Sequence, residues 1–259
     1  MKIFPLGTNG FFPSFGRQTA SYAIPLGKLL IILDAGSGLF RLAEPEGKKL
    51  LEGVSEVHLF LSHYHLDHTF GFYAAFGLLK GKKVTVYAKE IKKVFSEFRT
   101  LGYFTIDYSK EYKDFDWKIL KEGSNKIKDY EVQIRRQFHR GEGSLAFNFS
   151  FGLAYITDSE SIKESVNFIS GAKFLLHEHW YPGDDLLDNK NTKLEDHNIE
   201  GHVTSVGAAI IAKQSGVKKL ALIHHHPRAD NNQLEKQLKI AKTIFPNSSL
   251  AKDLELVNF

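Results

Sequence analysis

The segment at residues 62–68 constrains this chain more than any other, because it reads Ser-His-Tyr-His-Leu-Asp-His. It follows the apolar run at 57–61, which has the β-branched and aromatic content of a buried strand. Residues two apart on an extended chain point the same way, so we expect His63 and His65 to bind one metal ion together. Asp67 and His68 come after a further turn of the backbone, which favours a second ion beside the first.

Coincidence accounts poorly for this spacing. With His at about 5% of residues and Asp similar, the pattern arises by accident in roughly one chain in a thousand of this length. A single His in such a run could be an ordinary core residue with its hydrogen bonds satisfied. Three His residues with an Asp do not fit that role, so the segment predicts a metal site.

The absence of cysteine limits the kind of metal site that the chain can build. Zero cysteines exclude disulfides and thiolate ligands together. A metal must therefore be held by imidazole and carboxylate groups, which suits zinc, manganese or iron. The net charge of +4 is mild and favours an anionic substrate only weakly.

The chain has the composition of an ordinary soluble protein, with 42% hydrophobic and 25% charged residues. The polar residues 7–10 come too early for a signal peptide, and the apolar run at 29–33 is too short to cross a bilayer. We therefore expect a cytoplasmic protein without a membrane segment. No linker or short repeat interrupts the sequence, which predicts one domain over residues 1–259.

The pattern of apolar residues predicts strands in meandering groups, with helices between and after them. Such an order is typical of an α/β protein with two packed sheets and helices outside. Strands are predicted near 2–6, 19–24, 28–34, 56–61, 84–87, 130–138, 144–151, 153–157, 173–177 and 219–223 and at the C-terminus, and helices near 39–43, 62–79, 89–101, 204–214 and 231–243.

Three further candidate ligands each follow a predicted strand, where side chains emerge at the edge of a sheet. These are His139, Asp158 and His224. A buried carboxylate at a strand end is costly unless it is paired or binds a cation, so Asp158 is the most informative of them. The alternative for Asp158 is an N-cap of a helix near 159–166.

These motifs together resemble those of the metallo-β-lactamase-fold hydrolases over nearly the whole chain. Asp34 in Leu-Asp-Ala-Gly resembles the first motif, residues 63–68 the HxHxDH signature, and the three strand-end residues the later motifs. The resemblance implies a four-layer αββα sandwich with a dinuclear site, for which Zn²⁺ is the expected ion and Mn²⁺ or Fe the alternatives. It implies that one ion binds His63, His65 and His139, the other Asp67, His68 and His224, with Asp158 bridging both and Asp34 orienting a ligand.

Two segments are similar to the ribonuclease Z and phosphodiesterase branch of this family. Residues 177–178 and 202–204 resemble its H-E-A-T and H-S-T segments, although His179, Trp180 and Val203 depart from them. In that branch a Glu orients a His that serves the leaving group, which implies such roles for Glu178 and His202. The alternative is that these two form an isolated surface pair.

The chemistry that the resemblance implies is hydrolysis of an ester bond, most readily a phosphodiester. Two cations about 3.5 Å apart lower the pKa of a shared water to near neutrality, and the bridging hydroxide attacks the substrate. Asp67 is expected to hold the hydroxide in line, and His202 to protonate the departing oxygen. Protonation matters more for the alkoxide of a phosphodiester than for an activated lactam.

Several alternative functions compete with phosphodiester hydrolysis. A thioester or lactone hydrolase of the same fold usually carries a T-P-G-H-T segment, whereas residues 136–141 read Arg-Gln-Phe-His-Arg-Gly. Flavin-partnered diiron relatives have Glu at the place of His65. A small-RNA nuclease remains an alternative, but the short hairpin at 141–156 leaves no room for a long tRNA-binding arm. A non-catalytic metal-binding scaffold would predict a defective ligand set.

We expect a small anionic substrate and no association with a membrane. A homodimer is compatible with the sequence. Substrate walls are sought in the 11–13 loop, Tyr64, the aromatic residues of 103–117, and the segment from Trp180 to Asn198. The aromatic residues of 103–117 could form a substrate-facing flap, but packing against the core is the favoured interpretation. His225 and His226 are left as residues that support a ligand or face the substrate. His58 is expected to be structural, and His177 and His197 to have no part in the site.

Overall fold

The chain, described in a computed structural model at residues 2–90, 111–141, 143–186 and 192–258, forms two compact units. Unit 1 comprises Met1–Pro13, Arg17–Leu120 and Lys252–Asn258, and unit 2 comprises Ser14–Gly16, Lys121–Ala251 and Phe259. Each unit contains one seven-stranded mixed sheet. Whether the two units form the single domain predicted over residues 1–259 is not tested by this division, so the single domain stays a prediction.

The sheet of unit 1 is antiparallel on one side and parallel on the other. Its strands are β1 (Lys2–Gly7), β2 (Ser21–Leu26), β3 (Leu29–Leu33), β4 (Glu56–Phe60), β5 (Lys83–Ala88), β6 (Asp116–Ile119) and β16 (Val257–Asn258), in the order β16-β1-β2-β3-β4-β5-β6. Helices α1 (Pro45–Leu50), α2 (Leu66–Thr69) and α3 (Ala75–Leu78) and 3₁₀ turns at Ser37–Ala43 and Phe70–Tyr73 complete it.

Burial on both faces explains why β3 and β4 read as nearly continuous apolar runs rather than alternating ones. The two strands are parallel, and Leu33 lies opposite Phe60 at their carboxyl ends. The residues that follow each strand therefore emerge at the same edge of the sheet. On one strand that residue is Asp34, and on the other the chain runs into Ser62 and the His63–His68 segment.

The sheet of unit 2 has the same mixture of antiparallel and parallel pairs. Its strands are β7 (Gly123–Ile127), β8 (Tyr130–Gln137), β9 (Ser144–Phe149), β10 (Leu153–Ile156), β11 (Phe174–Glu178), β14 (Lys219–Ile223) and β15 (Ser248–Leu250), in the order β15-β14-β11-β10-β9-β8-β7. A separate ribbon pairs β12 (Asn198–Ile199) with β13 (His202–Val203). Helices are α4 (Lys163–Ile169), α5 (Ser205–Ser215) and α6 (Asn231–Ile244), with 3₁₀ turns at Asp184–Leu186 and Leu194–His197.

The parallel strands of unit 2 also end together. Ile156 of β10 lies opposite His177 of β11, and Glu178 of β11 lies opposite Ile223 of β14. This register places the residues after three adjacent strands at one edge of the sheet. Helices α5 and α6 begin cleanly, because Thr204 caps the amide of Gly207 and Asp230 forms a capping box with Gln233.

Most predicted strands and the helices at 204–214 and 231–243 are confirmed. The single helix predicted over 62–79 is wrong. Thr69 and Ala74 have non-helical backbone angles, so the segment breaks into α2, a 3₁₀ turn and α3. Residues 91–101 of the helix predicted at 89–101 and the aromatic residues of 103–110 lie outside the described residues, and residues 89 and 90 are not helical. Of the aromatic residues at 103–117, Tyr112, Phe115 and Trp117 pack on the core of unit 1, as the favoured interpretation expects.

Candidate functional site

Four potential ligands of unit 1 gather in one short segment. The His63 ring lies 4.5 Å from the His65 ring and 4.2 Å from the His68 ring, measured between centroids. Asp67 Oδ2 lies 3.4 Å from His68 Nε2 and accepts a 2.7 Å hydrogen bond from the Phe11 amide. We call these four residues the signature group.

Asp34 holds the signature group from behind. Its Oδ2 accepts a 2.8 Å hydrogen bond from His68 Nδ1, and both side chains are fully buried. Its other oxygen accepts the Ser62 amide at 2.7 Å, and the Ser62 hydroxyl donates to Oδ2. Because Nδ1 of His68 carries the proton in this bond, Nε2 has the lone pair that a metal would use.

Gly36 explains why the chain after β3 reads Asp-Ala-Gly. A Cβ at this position would lie 2.0 Å from the carbonyl oxygen of Asp67, a distance that no side chain tolerates. The close approach lets the loop after β3 support the loop that carries the signature group. The glycine is therefore required by packing.

The donors of unit 2 come from separate strand ends and meet around one carboxylate. Asp158 Oδ1 lies 3.4 Å from His139 Nε2, and Asp158 Oδ2 lies 3.2 Å from His224 Nε2. All three side chains are at most 4% exposed. His139 Nδ1 donates to the carbonyl of Gly201 at 3.1 Å, which again leaves Nε2 as the atom with the lone pair. We call these three residues the strand-end group.

Glu178 and His202 form a tight pair beside the strand-end group. Glu178 is fully buried, and its Oε2 lies 2.8 Å from His202 Nδ1, which lies 4.0 Å from Asp158 Oδ1. The other oxygen of Glu178 accepts the Ser159 amide at 2.6 Å. Four donor atoms, from Asp158, Glu178, His202 and His224, all lie within 4.8 Å of one another.

Burial and pairing act in opposite directions on the pKa values of this pair. Burial alone would raise the pKa of Glu178, but the charge and hydrogen bond of His202 outweigh it and lower the pKa to about 2. Burial alone would lower the pKa of His202, but the Glu178 carboxylate outweighs it and raises the pKa above its ordinary value. Each member of the pair therefore favours the charged form of the other.

Trp180 forms a wall behind both imidazoles of this region. Its ring stacks on His202 at 4.5 Å with an interplanar angle of 11°, and on His224 at 5.2 Å with an angle of 27°. These contacts restrict the two rings to one orientation each. The sequence marked Trp180 as a candidate substrate wall and gave no sign of its stacking, because the partners are distant along the chain.

Three of the residues at strand ends have left-handed backbone conformations. The φ angles are 58° at Asp34, 48° at Asp158 and 53° at His224. Such conformations are uncommon for residues with a side chain and concentrate at functional sites. Here each turns a polar side chain out of the direction of its strand.

The remaining histidines have distinct places. His225 is buried and donates from Nε2 to the Ala251 carbonyl at 2.8 Å, so its Nδ1 accepts from His179 Nε2 at 2.7 Å. His226 is only partly buried and lies 4.6 Å from the Trp180 ring. His58 is fully buried in β4 and contacts Glu56, as expected of a structural residue.

The alternative of Asp158 as a helix N-cap is excluded, because α4 begins at Lys163 with Ile162 as its N-cap. The structure thus brings the signature group together in unit 1 and the strand-end group, with Glu178 and His202, together in unit 2. Sequence reasoning missed Ser62 and the Gly201 carbonyl as supports of His68 and His139. The only signal for each was its position next to a motif residue.

The donor sets fit divalent transition metals. Each consists of imidazole nitrogens and carboxylate oxygens, largely buried, and the rings of His68 and His139 are oriented by hydrogen bonds from the opposite nitrogen. Carboxylates such as Asp158 are costly to bury without a positive partner. A His and Asp cluster that could hold metal ions is therefore present, and the identity of the metal stays a prediction.

Solved structures with a similar fold can be superimposed on nearly the entire chain. The metallo-β-lactamase fold protein YhfI from Bacillus subtilis matches with a TM-score of 0.70 and 22% identity, over 99% of each chain. The chain has the metallo-β-lactamase fold. A diphosphatase from the PhnP family matches with a TM-score of 0.70 and 17% identity over 100% of this chain and 96% of that one. Human tRNase Z, short form, matches with a TM-score of 0.68 and 20% identity over 100% and 99%.

Sequence relatives agree with this fold. Proteins named Ribonuclease Z from Saccharolobus islandicus (strain L.S.2.15 / Lassen #1) and Saccharolobus solfataricus are 26% and 27% identical, over 99% of this chain and 99% of each relative. No family model matches the chain. The predicted α/β fold class and the resemblance to metallo-β-lactamase-fold hydrolases near the ribonuclease Z branch are confirmed, and the expectation of a hydrolase agrees with the named relatives.

One further expectation concerns the membrane. Among the residues that the structure describes, no helix has both the length and the apolar character needed to cross a bilayer.

Proposed function

We propose that the protein is a metal-dependent phosphodiesterase whose substrate is small and anionic. In this proposal the signature group and the strand-end group bind two divalent ions, with zinc expected and manganese or iron as alternatives. Asp67, Glu178 and His202 carry the catalytic roles. The metal ligands proposed are His63, His65, Asp67, His68, His139, Asp158 and His224.

The observation that carries this proposal is the Glu178–His202 pair. A carboxylate that accepts the Nδ1 proton at 2.8 Å leaves Nε2 as the atom that can exchange a proton with a substrate. His202 is 15% exposed, whereas Glu178 is fully buried, so the acid is reachable and its orienting partner is not. Such a pair suits a reaction in which a poor leaving group must be protonated.

The proposed roles of the other residues follow from the metal ions and hydrogen bonds that their side chains can bind. Bound divalent ions would supply an acidified water and neutralise charge on the phosphate oxygens. Asp67 is fixed by the Phe11 amide at 2.7 Å, so it can accept a hydrogen bond from the attacking water and keep it in line. His202 donates its Nε2 proton to the departing oxygen, and Glu178 stabilises the charge on the imidazole until the proton leaves.

The hairpin after His139 supports a small substrate rather than tRNA. Strand β8 ends at Gln137 and β9 begins at Ser144, and among the described residues β9 and β10 are the only strands between His139 and Asp158. The alignment with the Saccharolobus islandicus relative runs over 305 positions although this chain has 259 residues, so the relative carries segments that this chain lacks. We therefore propose that tRNA binding through a protruding arm is not its role.

A small-RNA nuclease is the second candidate, because the sequence relatives are named Ribonuclease Z and a solved neighbour is a tRNase Z. RNA contains the same phosphodiester bond, so both candidates use one mechanism. The thioester or lactone alternative stays weaker, because Arg140 and Gly141 stand where that group usually has other residues.

The test is metal-dependent hydrolysis of bis-p-nitrophenyl phosphate with zinc, manganese or iron, compared with a diester whose leaving group is an alkoxide. His202→Ala should reduce the alkoxide reaction by roughly 100-fold or more, the usual range for loss of a general acid, and the nitrophenyl reaction much less. Glu200→Gln, an exposed carboxylate two residues away, is the control variant and should behave as the unmodified protein.

A screen of a thioester and a lactone under the same conditions separates the alternatives. Preference for either over both phosphodiesters would contradict the proposal. So would equal losses of the alkoxide and nitrophenyl reactions in His202→Ala, because a general acid acts according to the basicity of the leaving group.

A further inference from the structure

Two histidines that the proposed mechanism does not use are hydrogen-bonded to each other in the interior of unit 2. His179 and His225 are at most 1% exposed, and their rings meet edge to face with centroids 4.9 Å apart. His179 Nε2 lies 2.7 Å from His225 Nδ1, and His179 Nδ1 lies 3.0 Å from the hydroxyl oxygen of Ser205. We call His179 and His225 the buried histidine pair.

The backbone carbonyl of Ala251 sets the direction of these hydrogen bonds. A carbonyl only accepts, so His225 Nε2, 2.8 Å from this oxygen, carries the proton and His225 Nδ1 accepts. With His179 neutral, its Nε2 donates to His225 and its Nδ1 accepts the Ser205 hydroxyl. Every ring nitrogen of the pair then has a partner, and no charge is buried.

The buried histidine pair connects the segments that carry the proposed acid, its carboxylate and one metal ligand. His179 directly follows Glu178 at the end of β11. His225 directly follows His224, which comes after β14. The hydroxyl that His179 accepts belongs to the first residue of α5, three positions after the His202 acid. Hydrogen bonds between side chains therefore join three loops that the sequence keeps far apart.

Two features of these loops depend on such support. His224 has a φ angle of 53°, and a residue in this left-handed conformation persists only where the surrounding structure holds it. Both hydrogen bonds of His225 act on the neighbouring residue in the sequence. Trp180 directly follows His179 and stacks on His202 with 11° between the ring planes, so a shift of this loop would move the acid with it.

Packing alone does not require histidine at either position of the pair. An apolar side chain would fill the space without two polar rings, which are costly to bury unless each nitrogen is paired. Imidazoles add direction, because a hydrogen bond restricts the angle as well as the distance between two loops. His179 also stands where the H-E-A-T segment has alanine, so the pair arises from a departure of this chain from that pattern.

We propose that His179 and His225 are positioning residues, whose hydrogen bonds hold the His202 imidazole in the orientation that proton donation requires. This rests on the proposed function, and it adds two residues that act through the acid rather than on the substrate. The His202 ring lies 5.9 Å from the His224 ring between centroids, with 21° between the planes. The buried histidine pair maintains this spacing.

The experiment measures hydrolysis of the alkoxide diester and of bis-p-nitrophenyl phosphate by the metal-loaded protein. His179→Phe keeps a planar ring and removes both hydrogen bonds of that side chain. We expect the alkoxide reaction to fall by roughly 10- to 100-fold, the cost of a slightly misplaced catalytic group, and the nitrophenyl reaction by less than about 3-fold. His179→Gln, whose amide can still donate to His225, should recover part of the alkoxide reaction.

A double variant tests whether the effect passes through the acid. In a His202→Ala background, His179→Phe should leave the ratio of the two rates unchanged, because no acid is left to position. A further change of this ratio would overturn the proposal.

A purely structural role predicts a different result. Ile211→Val, the control, removes one methyl group from the core of unit 2 on α5 and should change both reactions by the same factor. If His179→Phe also lowers both reactions equally, the proposal is wrong. Ser205→Ala, which removes only the hydroxyl, gives the same comparison with a smaller expected loss should His179→Phe fail to fold.

Proton NMR of the zinc-loaded protein keeps this proposal apart from the phosphodiesterase. Because His202 lies flat against Trp180, the ring current of the indole shifts its ring protons, and His179→Phe should reduce this shift. If the protein hydrolyses both diesters but neither the shift nor the rate ratio changes in the variant, the positioning role is wrong and the phosphodiesterase stands. If the shift is lost in the variant but the unmodified protein hydrolyses neither diester, the pair positions His202 and the phosphodiesterase is wrong.

Discussion

The signature group and the strand-end group use the same kinds of side chain but are built in different ways. The first comes from six consecutive positions after β4 and is supported by one buried carboxylate, Asp34. The second draws its members from the ends of β8, β10 and β14, which the parallel and antiparallel register of one sheet brings together. One group is encoded by spacing and the other by topology.

This difference implies different consequences of mutation. In the signature group, neighbouring residues are held by the local backbone, so the loss of one side chain leaves the others in place. In the strand-end group, Asp158 lies between His139 and His224 and near His202, so its loss removes a contact from all of them. The predictions below compare the two groups, beginning with the largest effect.

Asp158→Ala should abolish most of the activity. We expect the rate of metal-dependent hydrolysis to fall by more than about 100-fold, and the metal content to fall with it. Loss of a residue that only hydrogen-bonds a metal ligand typically costs about 10- to 100-fold. His65→Ala, which removes an exposed member of the signature group, should cost less. Hydrolysis rates and elemental analysis measure both, and a larger loss in His65→Ala would reverse the comparison.

Asp34→Asn should weaken the signature group without dismantling it. The amide cannot accept the His68 proton, the Ser62 amide and the Ser62 hydroxyl as the carboxylate does, so His68 loses its fixed orientation. We expect metal affinity to fall about 10- to 100-fold. Competition with a chelator measures the affinity, and the ratio of alkoxide to nitrophenyl hydrolysis should stay as in the unmodified protein, because Glu178 and His202 are untouched.

His225→Leu should destabilise unit 2. It removes the hydrogen bonds to Ala251 and His179 and leaves two buried polar groups unsatisfied, which costs about 2–4 kcal/mol. His58→Leu in unit 1 is the matched variant, and it should cost about 1 kcal/mol, because its partner Glu56 can reach water. Urea unfolding followed by circular dichroism measures both, and equal costs would show that burial of the partner is unimportant.

Arg140→Ala should have the smallest effect. Arg140 Nη2 lies 3.1 Å from Glu200 Oε1, but both side chains are about two-thirds exposed, so water screens the pair. Exposed pairs contribute about 0–1 kcal/mol. A change above that range in urea unfolding would mean that this pair fixes the loops that carry His139 and His202.

The two groups also differ in how far the sequence could predict them. Spacing alone identified the signature group, because four metal-binding side chains rarely fall in one short segment for packing alone. The strand-end residues were found from the apolar runs before them, but their mutual distances depend on a strand order that no local pattern encodes. The sequence did not predict the break in the helix expected over 62–79. The apolar periodicity continues through Thr69 and Ala74, but the backbone angles of these two residues are not helical.

The left-handed backbone at Asp34, Asp158 and His224 has an evolutionary consequence. At Asp158 and His224 glycine would relax the main chain and remove a polar group from the interior, so the folded state would become more stable while the metal site would be lost. At Asp34 the same change would leave the buried Ser62 amide and His68 Nδ1 without their acceptor, so it would cost stability. Selection for thermal resistance alone would therefore drive Asp158 and His224, but not Asp34, toward glycine. A library screened only for heat tolerance should recover inactive survivors at these codons.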